Sequence, residues 1–386
     1  MGNGRSPVHA SVQFAPGVRS DLLSRVEIRS GVGIHEIAIL DFRRRAGDIA
    51  PPDGCRVRVR WGGNTRWAKT FYGYVNHTER VDSASDLDAN SYRVFCVGTS
   101  KPLNEVHPRH WTQVTGSFIA RAMAERYSLR AVLSKGTSLI NWVQPTNESD
   151  FASMNRLAKQ SGMLFWVSGS TLNFVDPAVR LLTASSGSVQ TFTRSFPVRK
   201  NPEDTLREML LVKGPDAPGS GSQVTSAYGI DPNTGGLLKA TGNRAYSDAG
   251  LAVPTSAGIY SGVIHSGSEG AAITSSGLFA GTWATMMADV WVKDIPVYVG
   301  DIVNIAGSGV GNAEKGLWFV SETLEVMKYR NDSFGYDYSA NLTMTRNQSD
   351  THVMQSTKNL TGVNPVVPAV WVGEKWQSQS LESVYV

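Results

Sequence analysis

From about Arg25 to Val97, apolar and polar residues alternate in short runs separated by turn residues. Val26-Glu-Ile-Arg29 and Ile34-His-Glu-Ile-Ala-Ile-Leu40 surround Gly31 and Gly33, and Pro51-Pro-Asp-Gly54 precedes Arg56–Trp61. Gly62-Gly-Asn64 makes a further turn, followed by Thr70–Val75 and Ser91–Val97. Successive side chains of a strand point to opposite faces, so each run reads as a strand with one buried side. Five or six short strands without a helical period predict a small antiparallel barrel, which removes exposed sheet edges.

Between residues 109 and 180 the period changes. Ile119, Ala122, Met123 and Arg126 fall at helical offsets within Ser117–Tyr127, with either Thr115 or Ser117 placed to cap. A second helix is expected over Asp150–Lys159, with Phe151, Met154, Leu157 and Ala158 as its apolar stripe. Asn147 or Ser149 can accept from its first free N–H groups, Asp150 suits its positive end, and Gly162 follows as a stop. Met163–Val167 and Thr171–Val175 then alternate around Gly169-Ser170 as a hairpin. Strand patterns return at Glu208–Val212, Trp291–Val292, Pro296–Ala306, Trp318–Val326 and Tyr338–Thr345, with a turn at Gly300-Asp301. Gly214–Ser222 reads as a loop and Gly270–Ala280 as a short helix.

The expected fold is mainly β with an α/β insert: two small antiparallel β-barrels flanking a two-helix plus hairpin domain. The expected segments are an N-terminal arm (1–20), a first barrel (21–108), the insert (109–180), a second barrel (181–347) and a C-terminal extension (348–386). That extension has no long pattern but carries Trp371, Trp376 and Tyr385. Apolar anchors on an open segment suit a partner-docking arm; a strand folding back on its own barrel suits them equally.

Composition supports this picture. The chain has 386 residues, enough for two or three domains, with 41% hydrophobic and 18% charged residues, so it folds. Its 38 glycines favour tight turns. A net charge of +4 is mild for a chain of this length, far from the basic field of a DNA-binding domain. The conspicuous basic features are Arg43-Arg-Arg45 and the alternation Arg56, Arg58, Arg60, whose arginines share one strand face opposite Val57 and Val59. The N-terminus lacks the apolar core of a signal peptide, and no stretch approaches the length of a membrane helix, so membrane insertion is not expected.

Candidate chemistry is sparse. The two cysteines, Cys55 and Cys96, have no CxxC neighbour and read as buried thiols in strands. His35-Glu36 begins a zincin-like motif, but position 39 is Ile, so no second ligand shares its face. His107 and His110 lack a third ligand and read as polar histidines at a domain junction. Gly307-Ser-Gly-Val-Gly311 has no following Lys-Ser or Lys-Thr and reads as a hairpin loop, not a phosphate cradle. Asp86-Leu-Asp-Ala-Asn90 lacks the second half of a calcium loop. No catalytic residue, metal site or cofactor is expected.

Four motifs in order carry a resemblance. These are Gly73-Tyr-Val75, Val94-Phe-Cys-Val-Gly-Thr-Ser-Lys-Pro-Leu103, the set Asn147–Phe151 with Leu157-Ala158 and Gly162–Phe165, and Pro296-Val-Tyr-Val-Gly-Asp-Ile-Val303. Across roughly residues 21–347 the chain resembles the phage baseplate-hub family. That family includes the hub of contractile tails, the late-control tail protein of temperate phages and the spike protein of type VI secretion. Asp294-Ile295 stands where that family has a glycine before the proline, and Val299 replaces its second proline. The resemblance implies a non-enzymatic subunit of the virion, assembled in the host cytoplasm as a homotrimeric, pseudo-hexameric ring. A distal tail or tail-tube protein would lie above it, tip, spike or receptor-binding proteins below, and DNA would meet it only in transit. Piercing and wall digestion would belong to other proteins. The alternatives are a tail-associated receptor- or carbohydrate-binding protein and a cell-wall hydrolase.

Overall fold

A computed structural model describes residues 8–15, 18–19, 23–43, 50–62, 69–81, 91–135, 139–161, 163–176, 180–181, 184, 189–195, 205–213, 223–231, 234–241, 257–264, 267, 270, 283–290, 296–311, 314–330, 335–347, 369–372 and 375–378. The first strands are β1 (His9–Phe14), β2 (Val18–Arg19), β3 (Leu23–Gly31), β4 (Ile37–Arg43), β5 (Arg56–Gly62), β6 (Lys69–Val81) and β7 (Ser91–Gly98). The insert holds β8 (Arg109–Thr115), α1 (Gly116–Arg126), β9 (Arg130–Leu133), β10 (Leu139–Gln144), α2 (Asp150–Ser161), β11 (Leu164–Ser168) and β12 (Thr171–Val175). Then come β13 (Gln190–Thr193), β14 (Leu206–Lys213), β15 (Gln223–Ile230), β16 (Leu237–Thr241), β17 (Ala257–Ile264), β18 (Trp283–Val290), β19 (Ile302–Ala306), β20 (Gly316–Arg330) and β21 (Gly335–Asn347). A last hairpin pairs β22 (Ala369–Val372) with β23 (Lys375–Ser378).

The mainly β fold with an α/β insert is as expected, but the strands flanking the insert do not form two separate closed barrels. They make one 13-stranded sheet whose main path runs β14-β18-β21-β20-β3-β4-β7-β6-β5-β1-β2, with β13 and β19 branching from β20. The cause is the length of β20 and β21, 15 and 13 residues, which belong to both halves. β20 pairs with β19 through Gly316–Phe319 and with β3 through Glu322–Lys328. Among the described residues, each half curls without a closing ladder. In the first, a single bridge joins Val8 to Tyr336, whose N–H donates to the Val8 carbonyl at 3.0 Å. In the second, the Thr205 N–H donates to the Thr193 carbonyl at 3.1 Å. β1 falls in the segment read as an arm and pairs with β5 from His9 to Phe14.

Parity explains how two strands serve two cores. On β21, Tyr336 and Tyr338 pack on the first core, while Ala340, Leu342 and Met344 lie in the second. All are even-numbered, as one face of a strand requires. On β20 the inward row is Trp318 and Val320, then Thr323, Glu325 and Met327. The change from even to odd occurs at a register shift between Val320 and Glu322. Without that bulge the second set would point outward.

The insert has its own core around Met123, Met154, Leu157, Phe165 and Phe174. Thr115 caps α1 by accepting from the Phe118 N–H, and the Ser149 hydroxyl accepts from the Ala152 N–H at the start of α2. The buried face of α1 is Ile119, Ala120, Met123 and Ala124; Ala122 and Arg126 of the expected stripe are displaced from it. Phe151, Met154, Leu157 and Ala158 of α2 are buried as expected. The β11–β12 hairpin is covered on both sides, with Phe165 and Phe174 toward the helices and Trp166 and Val175 toward the second half.

Two further readings change. Pro296–Val299 is not a strand, because the chain turns at Tyr298–Asp301 before β19 begins. Cys55 precedes β5 and is only half-buried, whereas Cys96 is fully buried. The Gly307–Gly311 segment lies in the β19–β20 hairpin connection. The expected elements at Trp291–Val292 and over 271–280, together with Asp86–Asn90, lie outside the described residues.

Gly73 shows why one family-like motif needs glycine. A Cβ there would stand 2.3 Å from the Val97 carbonyl oxygen across the β6–β7 pair. Backbone cannot yield as a flexible side chain does. Gly73→Ala should lower unfolding stability by roughly 1–3 kcal/mol, read as a lower denaturant midpoint at unchanged slope.

Candidate functional site

The first half encloses a buried strut. Trp61 and Lys69 are register partners at the paired end of β5 and β6. Both reach the Glu325 carboxylate of β20: the Trp61 indole N–H donates to Oε2 at 2.8 Å, and Lys69 forms an ion pair with Oε1. The Tyr338 hydroxyl of β21 donates to Oε2 at 2.8 Å. The Lys69 ammonium also lies 4.7 Å from the centre of the Tyr298 ring. Lys69 and Glu325 side chains are 7% and 3% exposed, so both charges have lost their water and rely on this network. Burial and the negative Glu325 raise the Tyr338 phenol well above its ordinary value, so Tyr338 stays a donor. The network links β5, β6, β20 and β21, tying the wall of one half to the strands shared with the other.

Glu36 lies close by. Its Oε1 accepts from the Ser30 hydroxyl at 2.7 Å. Burial pushes its carboxyl up to about 7, against the lowering effects of Ser30 and Lys69. Its neighbour His35 faces the insert: the ring stacks on Phe151 at 3.8 Å, Nδ1 meets the Ser100 hydroxyl at 2.7 Å and Nε2 meets Asn104 Oδ1 at 3.0 Å. The His35-Glu36 dipeptide thus spans two packed surfaces and assembles no ligand set.

The insert is clamped on two sides. The Gly33 N–H donates to the Phe165 carbonyl at 2.7 Å, and Asn155 Nδ2 donates to the Gly33 carbonyl at 3.1 Å. Toward the second half, Trp166 meets Phe319 edge-on at 6.2 Å, and Arg180 donates to the Gly300 carbonyl at 2.8 Å. Gly300 takes a φ of 92°, and a Cβ there would stand 2.4 Å from the Trp166 ring. Asp301 Oδ2 accepts from the Tyr298 N–H at 2.7 Å, fixing the same turn. The Gly-Asp pair of the fourth motif is therefore a joint against the insert.

Of the two histidines read as a junction pair, His107 contacts Asp150, while His110 stands exposed on β8 opposite Val143. Asp150 is fully buried at the start of α2 and accepts from Tyr127 at 2.6 Å and Gln144 at 2.6 Å; His107 Nδ1 lies 3.1 Å from it. Burial and Asp150 together raise the Tyr127 phenol. The saturated carboxylate pins α2 to β10 and to the segment before β8. Among the described residues, the contacts of His107 are Asp150, Tyr127 and Glu105, with no Ser or Cys beside the ring. Burial pushes the Cys96 thiol up to about 12, the reverse of an activated nucleophile. Among the described residues, no three His, Cys, Asp or Glu side chains converge as a metal site. Trp371 and Trp376 face one another in the register of the β22–β23 hairpin, and Tyr385 lies outside the described residues.

The sequence reading did not single out the Lys69–Glu325 strut. Its trace is a glutamate standing in an inward row, Thr323-x-Glu325-x-Met327, where strand alternation calls for an apolar residue.

No protein-family model matches the chain, and no curated protein matches it in sequence. Solved structures do match its fold. A tail protein from Neisseria meningitidis MC58 superposes with a TM-score of 0.61 at 12% identity, covering 90% of this chain and 99% of that one. A 43 kDa tail protein of prophage MuSo2 from Shewanella oneidensis gives 0.58 at 12% identity, covering 89% and 99%. An E. coli type VI secretion component, described as similar to the T4 tail proteins gp27 and gp5, gives 0.52 at 12% identity, covering 86% and 76%. The fold is that of phage tail proteins. It is shared with that type VI secretion component.

Two outcomes test the strut. Glu325→Leu should cost about 3–5 kcal/mol by leaving Lys69 buried without its counter-charge, and adding Lys69→Met should restore much of it, as denaturant midpoints of the three variants will show. Glu36 has a separate signature. A carboxyl raised from 4.5 to about 7 on folding contributes stability that is full below pH 4.5 and is lost as pH rises through 7. The loss is on the order of 3 kcal/mol, and Glu36→Gln should flatten that slope in unfolding curves taken from pH 4 to 8.

Proposed function

We propose that this chain is a structural hub subunit of a phage tail, working as a homotrimer in which its two sheet halves stand as quasi-equivalent neighbours. Three copies would then present six strand-built modules in a pseudo-hexameric ring, with tail tube above, tip or spike proteins below and the genome passing through the centre. The observation that carries this is the pair of long strands, β20 and β21, common to both halves. A unit that must fill two adjacent positions of a ring needs its two modules at a fixed angle, and shared strands provide that better than a linker. The insert, clamped to both halves, adds a second brace.

A mechanical role also suits the chemistry. The buried Asp150 carboxylate is taken up by Tyr127 and Gln144, and burial deactivates the Cys96 thiol. This supports a non-enzymatic subunit residing in the virion. No helix among the described residues is long and apolar enough to cross a membrane. The C-terminal segment with Trp371, Trp376 and Tyr385 is assigned to docking a neighbouring tail protein, since paired tryptophans on a short hairpin make an effective interface anchor.

Light scattering and cryo-microscopy of the full chain should show a particle of three chain masses with a central lumen. Removing residues 348–386 should leave that particle intact and abolish its attachment to the tail. A stable monomer without a lumen, or turnover of purified peptidoglycan by the isolated chain, would overturn the reading.

A further inference from the structure

We infer that the β15–β16 hairpin is an arm by which one subunit grips a second copy of this chain, and that its receptor is the outward face of β14 and β18. The inference rests on the trimeric reading and says which surfaces close the ring.

Between β14 and β18 in the chain, the strands β15, β16 and β17 form a separate sheet in the order β16-β15-β17. Among the described residues its buried core is Ala227, Ala240 and Ile264, with Leu238 packed against them. The face away from this core exposes Tyr228, Ile230 and Leu237, the last by 77%. Ile230 stands opposite Leu237 in register, and two residues along each strand Tyr228 stands opposite Lys239. The Lys239 ammonium lies 5.9 Å from the Tyr228 ring centre. The hairpin therefore offers an apolar pair at its tip and a cationic, aromatic pair behind it.

β14 and β18 offer the complement. Leu210 stands opposite Met287, with exposures of 62% and 47%. Two residues along, Glu208 stands opposite Asp289. Burial raises the Asp289 carboxyl, Arg207 opposes this, and Glu208 adds to it. Arg207 stands 3.6 Å from Asp289, so this place holds two carboxylates against one native cation. The two surfaces share one plan with opposite charge: an apolar register pair, one strand step of roughly 7 Å, then a charged register pair. Ile230 and Leu237 can cover Leu210 and Met287 while Lys239 meets Glu208 and Asp289.

Both patches stay exposed in the single chain, so the arm does not cover its own receptor. They are also different surfaces, so their contact is heterologous. Each copy gives one arm and receives another, and such a series closes when each step turns by one third of a circle.

The test places one new cysteine on each surface. Leu237→Cys and Leu210→Cys chains, carrying different tags, are co-expressed and oxidised, then sized under denaturing and native conditions. Half-buried Cys55 is replaced by serine in both chains, and Cys96 is buried with its thiol pushed up to about 12, which keeps background coupling low. A disulfide joining the two tags, absent when either variant is expressed alone, is the expected result. Trimers without that disulfide overturn the arm and leave the hub reading standing. Cross-linked open chains without a closed trimer uphold the arm and sink the ring; monomers without cross-links sink both. Lys239→Glu should weaken association roughly tenfold, and Glu208→Lys in the same chain should recover it. Failure to recover overturns the charge register described here.

Discussion

The ion pair between Lys69 and Glu325, closed by Trp61 and Tyr338, is the constraint on which the arrangement of the halves depends. Apolar packing alone would let a curled sheet settle in neighbouring registers, because a shift by two residues restores the same face. A buried carboxylate with three specific donors has no such freedom. Moving β20 by one step against β5 and β6 would strand Glu325 and Lys69 without partners in a dry interior. The strut adds little net stability over an apolar alternative, but it makes wrong registers expensive.

That register matters because β20 changes neighbours along its length. Up to Phe319 it pairs with β19, and from Glu322 it pairs with β3. The bulge between Val320 and Glu322 flips the parity so that one face of β20 continues to line an interior. Tyr338 packs against both cores, which places the strut's hydroxyl donor at their boundary. The halves are thereby one mechanical body. A load applied to either is carried along covalent backbone and a continuous ladder instead of across a linker.

Much of this was legible in the sequence, and the parts that were not share a cause. The period-two runs marked β3, β4, β5 and β7, and the helical period with its caps marked α1 and α2, because these patterns are local. On α1 the stripe holds at Ile119 and Met123, but Ala120 and Ala124 are buried in place of Ala122 and Arg126, since the alanines are equivalent in hydropathy and the packing of β8, β9, β12 and α2 decides between them. The merging of two expected barrels into one sheet was invisible. Nothing in Gly316–Arg330 states which strand lies beside each half of it, although the parity change from Val320 to Thr323 hinted at the bulge. Pro296–Val299 reads as a strand by alternation, but Asp301 captures the Tyr298 N–H and the Gly300 turn against Trp166 takes precedence. Lys69 and Glu325 are separated by most of the chain, so neither signals the other.

The ring proposed above would make mechanical use of this distribution of contacts. The shared strands, the strut and the doubly clamped insert give the centre of the chain a single geometry, which sets the angle between neighbouring modules. Among the described residues, the two halves are completed by a bridge at Val8–Tyr336 and a hydrogen-bonded contact at Thr193–Thr205. In the proposed assembly the β15–β16 arm would gain contacts as a second copy covers its exposed Ile230 and Leu237, which would favour rings in which every arm is received.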